Sequence, residues 1–172
     1  MTRVLVYGFG PYRNFQRNVT ESIVRKLPKR HRLRRIVFPV KFNKSQFLKP
    51  IREHKPDVIL GLGQCARGRR LRIEAQAVNK RRNHKWENAK PIVPRGARRL
   101  STSLGLNLGR QGRFSKNAGD YVCNYSMYVI LDFLKRRRLP IRFGFIHIPQ
   151  GYNAATAVRI LLKAISKLRP LV

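Results

Sequence analysis

The sequence predicts an α/β domain with a largely parallel sheet, and three observations carry that expectation. Short apolar runs recur at Val4 to Tyr7, Val58 to Leu60 and Ile141 to Ile148, each ended by glycine or proline. Such runs suit strands buried on both faces, where no polar side is needed. Segments with helical apolar spacing fall between them, and strand alternating with helix points to layered α/β architecture. Third, 172 residues suffice for one domain with a substantial core, so a single domain over 1–172 is expected.

In chain order, Val4 to Tyr7 is the first strand and Gly8-Phe9-Gly10-Pro11 its turn. Val19 to Leu27 reads as a helix, with Asn18 or Thr20 near its cap and Pro28 beyond it. Arg32 to Phe38 is the second strand. Lys44 to His54 is helical, with Pro50 expected to bend or shorten it. Val58-Ile59-Leu60 forms a buried strand ending at Gly61. Leu71, Ile73, Ala75 and Ala77 alternate with polar neighbours, which predicts one half-exposed strand. Residues 80–99, basic and carrying two prolines, should be irregular, with a short strand at Gln111 to Ser115. Tyr121 to Arg138 is an apolar helix whose terminal arginines suit its negative end. Ile141 to Ile148 is the last strand. Ala154 to Leu168 is the last helix, capped by Asn153 and apolar along one stripe.

Composition separates function classes. Lys and Arg number 39 against seven acidic residues, a formal net charge of +32. A folded body this cationic attracts polyanions. With 42% hydrophobic residues it is no disordered basic tail. Cys65 and Cys123 supply neither a disulfide framework nor metal-ligand spacing, so no metal or cofactor is expected and a reducing cytoplasmic setting is. No apolar run approaches the ~18 residues of a membrane span, and the N-terminal run is too short for a signal sequence.

Three residues have the chemistry of a catalytic set. Cys123 falls in the first turn of a helix, where unpaired N–H groups and the helix dipole are expected to lower a thiol pKa. His147 lies near the C-terminal end of an apolar strand, the sheet edge where open α/β folds place ligand sites. Glu74 is one of few acids, in a basic stretch. Cys, His and acid from separate elements suit nucleophile, base and orienter. A free cysteine is equally a small buried hydrophobe, and a single strand histidine equally a structural one.

Longer strings decide more. Gly8-Phe9-Gly10-Pro11-Tyr12, Ile73-Glu74-Ala75-Gln76-Ala77-Val78-Asn79, Ala118-Gly119-Asp120-Tyr121-Val122-Cys123-Asn124-Tyr125 and Gly144-Phe145-Ile146-His147-Ile148-Pro149 occur in the order found in the pyroglutamyl peptidase I family. The chain resembles that cysteine-peptidase family over nearly its whole length. The resemblance implies a three-layer α/β/α sandwich, with Cys123 as nucleophile, His147 as base and Glu74 orienting the base. It implies removal of an N-terminal pyroglutamyl group through a thioester, with Phe9, Tyr12, Gln64, Tyr121 and Val122 around the substrate. Tyr12 stands where the family has a phenylalanine, His84 where it has an arginine, and Arg13-Asn14 where it has two glycines. Arg81 and Arg82 are the candidates to supply the missing charge.

The basic residues form three clusters. The first holds Lys29, Arg30, Arg32, Arg34 and Arg35; the second Arg67, Arg69, Arg70 and Arg72 with Lys80, Arg81, Arg82 and Lys85. The third is Arg136, Arg137 and Arg138. With so little compensating acid, they favour phosphate contact, and Tyr12, Phe15, Trp86, Phe114 and Tyr152, beside basic residues, could stack on unpaired bases or pack in the core. No RRM, KH or zinc-finger signature is present, so shape and backbone recognition is the expectation. On composition the leading expectation is an RNA-binding protein, bound to rRNA in a ribosomal subunit beside neighbouring ribosomal proteins. The alternative is a working cysteine omega-peptidase that uses Cys123, His147 and Glu74.

Overall fold

A computed structural model describes residues 2–13 and 15–168. Its core is a six-stranded sheet. Strand β1 (Val4–Phe9) pairs in parallel with β2 (Leu33–Phe38) on one edge and β3 (Val58–Cys65) on the other. Beyond these lie β4 (Leu71–Glu74), β5 (Gln76–Val78), β6 (Arg99–Ser101), β7 (Gly112–Ser115) and β8 (Arg142–Pro149). The main sheet has the order β2-β1-β3-β8-β4-β7, and β5 pairs with β6 separately. Only the β4–β8 pair of the main sheet is antiparallel. The sheet is thus mixed and mostly parallel, as expected.

Helices cover both faces. α1 (Val19–Lys26) and α4 (Ala154–Ser166) pack with Val4, Val6, Val58, Leu60 and Leu62. α2 (Lys44–His54) and α3 (Val122–Arg136) pack with Leu5, Tyr7, Phe9 and Ile59 on the other face. Alternate residues of one strand therefore feed two cores, which is why these strands read as continuous apolar runs. The architecture is an α/β/α sandwich.

Asparagines set three helix starts. Asn18, Asn43 and Asn153 accept from the backbone N–H of Thr20, Ser45 and Thr156, satisfying orphan donors of α1, α2 and α4. α2 keeps its expected bounds despite Pro50, which is buried.

Three expectations are corrected. β3 does not end at Gly61 but runs to Cys65, because both strand glycines make room for side chains. A Cβ on Gly61 would lie 2.4 Å from Phe145 and 2.6 Å from Tyr7. The single strand expected from 71 to 77 is two. At Ala75 the chain donates to Ser115 and accepts from Thr102, and it leaves the main sheet there. Gly8 and Phe9, expected in a turn, remain in β1, where the Thr20 hydroxyl accepts the Phe9 N–H at 3.0 Å.

Candidate active site

The C-terminal ends of β3 and β8 and the start of α3 meet at one edge of the sheet. Cys123 is the second residue of α3, and His147 sits two residues before the end of β8, whose last residue Pro149 pairs with Cys65 of β3. Gly63 lies opposite His147 in the β3–β8 register. A Cβ there would stand 2.7 Å from Cys123 Sγ and 2.9 Å from His147 Cδ2. Both groups therefore crowd one backbone point, and the sum of those distances bounds their separation.

Glu74 closes β4, which runs antiparallel to β8 with Arg72 opposite His147. That register sets the Glu74 carboxylate diagonally against the imidazole, and Nδ1 meets Oε1 at 2.7 Å. Both side chains are buried, Glu74 completely. Burial alone would raise the Glu74 pKa, but the hydrogen bond and charge of His147, helped by Ser115 and Arg72, outweigh it and hold the carboxyl low. The carboxylate engages Nδ1, so the opposite ring nitrogen is not taken up by that bond.

The thiol departs from expectation. The helix dipole was expected to lower its pKa; instead burial, then the charges of Glu74 and Cys65, push it up to about 12. Arg72 and the backbone of Cys123 work the other way but do not win. A desolvated sulfur close to a carboxylate stays protonated at rest, whatever the first-turn N–H groups contribute.

A cavity of about 240 Å³ opens at this edge. Phe9, Tyr12, Gln64, Tyr121 and Val122, all named from the sequence, line it together with Cys123 and His147. The Gln64 Oε1 accepts from Val19 N–H at 2.8 Å, which fixes the amide. Its Nε2 is buried with no hydrogen bond, although it lies near enough to the Tyr12 hydroxyl to favour that group's ionised form. Burial dominates there, and the Tyr12 pKa is raised. Larger grooves, about 610 and 640 Å³, lie toward the opposite edge, and neither is lined by a cysteine.

His84 is exposed, stacks on Trp86 at 4.9 Å and does not line the cavity. Arg82 instead brings its Nε to 2.6 Å from Asp120, a lining residue. Sequence reasoning assigned no role to Asn124 or Asn79. Asn124 is fully buried in α3, accepting from Val78 N–H and donating to the Val78 and Lys80 carbonyls. Asn79 holds Ile92, Val93 and Gly96 by their backbone. A polar residue one position after Cys123 in a largely apolar helix was the available signal.

Residues 2–157 match the model of a family described as pyroglutamyl peptidase. The chain belongs to the pyroglutamyl peptidase family. It is 27% identical to pyrrolidone-carboxylate peptidase 1 of Saccharolobus solfataricus, over 95% of this chain and 86% of that protein. It is 30% identical to the pyrrolidone-carboxylate peptidase of Oceanobacillus iheyensis, over 90% and 87%. Among solved structures, pyrrolidone carboxyl peptidase of Pyrococcus furiosus superposes with a TM-score of 0.87 at 26% identity, covering 95% of this chain and 96% of that one.

These findings overturn the RNA-binding, ribosome-bound expectation. The family match takes up nearly the whole chain, and the relatives and structural neighbours are peptidases, so rRNA and ribosomal-protein partners have no support. Net charge speaks to what a surface attracts, not to the fold or its chemistry. Several of the cations also have internal work. Arg35 donates to the Arg25 and Leu27 carbonyls, Arg72 lies 3.6 Å from Glu74, Arg82 holds Asp120 and Arg136 holds Asp132 at 2.9 Å. Lys29, Arg30, Arg32 and Arg34 flank the start of β2, away from the Cys123 cavity, while Arg67, Arg69 and Arg70 are exposed on the β3–β4 loop. Lys80, Arg81 and Lys85 belong to the segment between β5 and β6, and Arg137 and Arg138 follow α3. No helix of the described residues is long and apolar enough to cross a membrane.

Proposed function

We propose that this protein is a cysteine omega-peptidase that removes an N-terminal pyroglutamyl residue from peptides. The observation that carries this reading is the Glu74–His147 pair at 2.7 Å, set beside Cys123 at the Gly63 backbone. The cavity volume suits a small acyl group rather than a long side chain, being below the roughly 300–1,000 Å³ of sites for larger ligands.

His147 takes the Sγ proton as sulfur attacks the pyroglutamyl carbonyl carbon. Because the resting thiol is protonated, proton transfer and attack are coupled rather than sequential. Glu74 keeps the ring oriented and stabilises the imidazolium. The Gln64 amide and the first-turn N–H groups of α3 are the donors available to the developing oxyanion. The tetrahedral adduct collapses to a thioester, and His147 protonates the departing amine. Water, deprotonated by His147, then cleaves the thioester, releasing pyroglutamate and restoring the thiol. The nucleophile must remain a free thiol, so a reducing cytoplasmic setting and a single catalytic domain are proposed with it.

The test is turnover of a pyroglutamyl-coumarin amide by the intact chain and by Cys123→Ser. Steady release abolished by the substitution, with a pyroglutamyl thioester trapped on Cys123 by acid quench and mass spectrometry, is the expected outcome. Release that survives Cys123→Ser would refute the assignment.

A further inference from the structure

Two arginines stack on rings in or against the wall of the Cys123 cavity, and the acids near them are already engaged. Arg13 is exposed, and its guanidinium lies over the Tyr121 ring, 4.8 Å from the centroid. One Nη donates to the Asn83 carbonyl at 2.6 Å, a small part of its five-donor capacity. Arg81 lies 5.1 Å over the ring of Phe42, which meets Tyr121 edge-on at 5.3 Å. Tyr121 lines the cavity, so Arg13 rests on its wall and Arg81 on a ring packed edge-on against that wall. Stacking on a ring face fixes a guanidinium without neutralising it, and leaves its in-plane N–H edge for a carboxylate.

Asp120, the carboxylate among the lining residues, is held by Arg82. Glu87 is the other acid nearby and accepts the Asn83 N–H at 3.0 Å. Glu74 is buried against His147, while Asp57, Glu21, Glu53 and Asp132 pair with cations on their own elements or across the fold.

In the proposed reaction the pyroglutamyl group fills the cavity and the rest of the peptide leaves past its Tyr121 wall. We propose that the site selects pyroglutamyl peptides with Asp or Glu at the one or two positions after the scissile bond. Arg13 and Arg81 are the specificity-determining residues. This deepens the peptidase reading and rests on it. Opposite charges a few ångströms apart near a protein surface change binding by threefold to tenfold per pair at low salt, and the overall positive field speeds encounter.

The experiment compares kcat/KM for amidated pyroglutamyl-Glu-Glu, pyroglutamyl-Gln-Gln and pyroglutamyl-Lys-Lys in about 20 mM and about 500 mM NaCl, where screening differs severalfold. The acidic peptide should exceed its neutral isostere by about tenfold at low salt, with the lysine peptide lowest, and the spread should contract at high salt. The Arg13→Gln/Arg81→Gln double variant should lose most of the acidic-to-neutral ratio. Should that variant fail to fold, the salt dependence of the parent still decides. Equal rates for the three peptides overturn the inference and leave the peptidase standing. A ratio untouched by salt or by the double variant also overturns it. If none of the three is cleaved, the peptidase reading falls and the inference with it.

Discussion

Gly63→Ala should disable the site while sparing the fold. The added methyl meets Cys123 Sγ at 2.7 Å, Phe145 Cζ at 2.8 Å and His147 Cδ2 at 2.9 Å. Ordinary contact begins at 3.4 Å, so each neighbour must withdraw by about 0.5–0.7 Å. The strand cannot yield instead, because β3 is hydrogen-bonded between β1 and β8. The proposed nucleophile and base are therefore pushed together off their positions, and displacements near 1 Å cost about 10²-fold in rate. Overpacking of this kind costs about 1–3 kcal/mol, a fall of several degrees in Tm. The assay is kcat on the coumarin amide alongside a thermal melt. Gly105→Ala is the control, since nothing lies within 4 Å of its added methyl. A Gly63→Ala protein within threefold of the parent, with an unchanged melt, would show that the two reactive groups do not converge on this backbone point.

Three further predictions rest on the thiol, its carboxylate neighbour and a buried asparagine. With the thiol pushed up to about 12, carbamidomethylation at Cys123, read by mass spectrometry, should rise about tenfold per pH unit between 7 and 9; a plateau below pH 8 refutes it. Glu74→Gln removes an anion that raises that pKa, so alkylation at fixed pH should quicken even as turnover falls about 10²-fold or more, and a parallel fall in both would contradict the assigned electrostatics. Asn124→Ala strands three backbone groups of the segment after β4, and should cost about 2–4 kcal/mol in chemical denaturation with new proteolysis near 76–80; a loss under about 1 kcal/mol would sink this account.

The layered α/β fold with its largely parallel sheet was legible because several strands are apolar on both faces, whereas the three-layer sandwich followed from the family resemblance. α2 is found at its expected bounds, and the Asn18 and Asn153 caps lie where side-chain chemistry put them. What the residues could not reveal depends on distant partners. Glycine within β3 reads locally as a stop, and only the rings of Tyr7 and Phe145 explain why the strand continues through Gly61. The break at Ala75 is equally nonlocal, being fixed by Ser115 and Thr102. The lining residues and the His147–Glu74 partnership were readable from motif strings. The raised thiol was not, because it follows from burial and from a carboxylate 49 positions away in sequence.

Charge misled because a count of lysines and arginines has no positions in it. The residues that build this fold are apolar strand positions and asparagine caps, and those that build the site are a thiol, an imidazole and one buried carboxylate; all of these could be kept under any surface charge. Beyond a Debye length of about 8 Å at physiological ionic strength, exposed cations scarcely interact, so a folded body tolerates many of them at modest cost. Two of those cations are different in kind. Arg13 is fixed on Tyr121 in the cavity wall, and Arg81 on Phe42, which packs edge-on against that ring. A surface charge placed there acts on selection among substrates while leaving the bond-breaking groups untouched, which is how a strongly basic chain and a peptidase site occupy one molecule without contradiction.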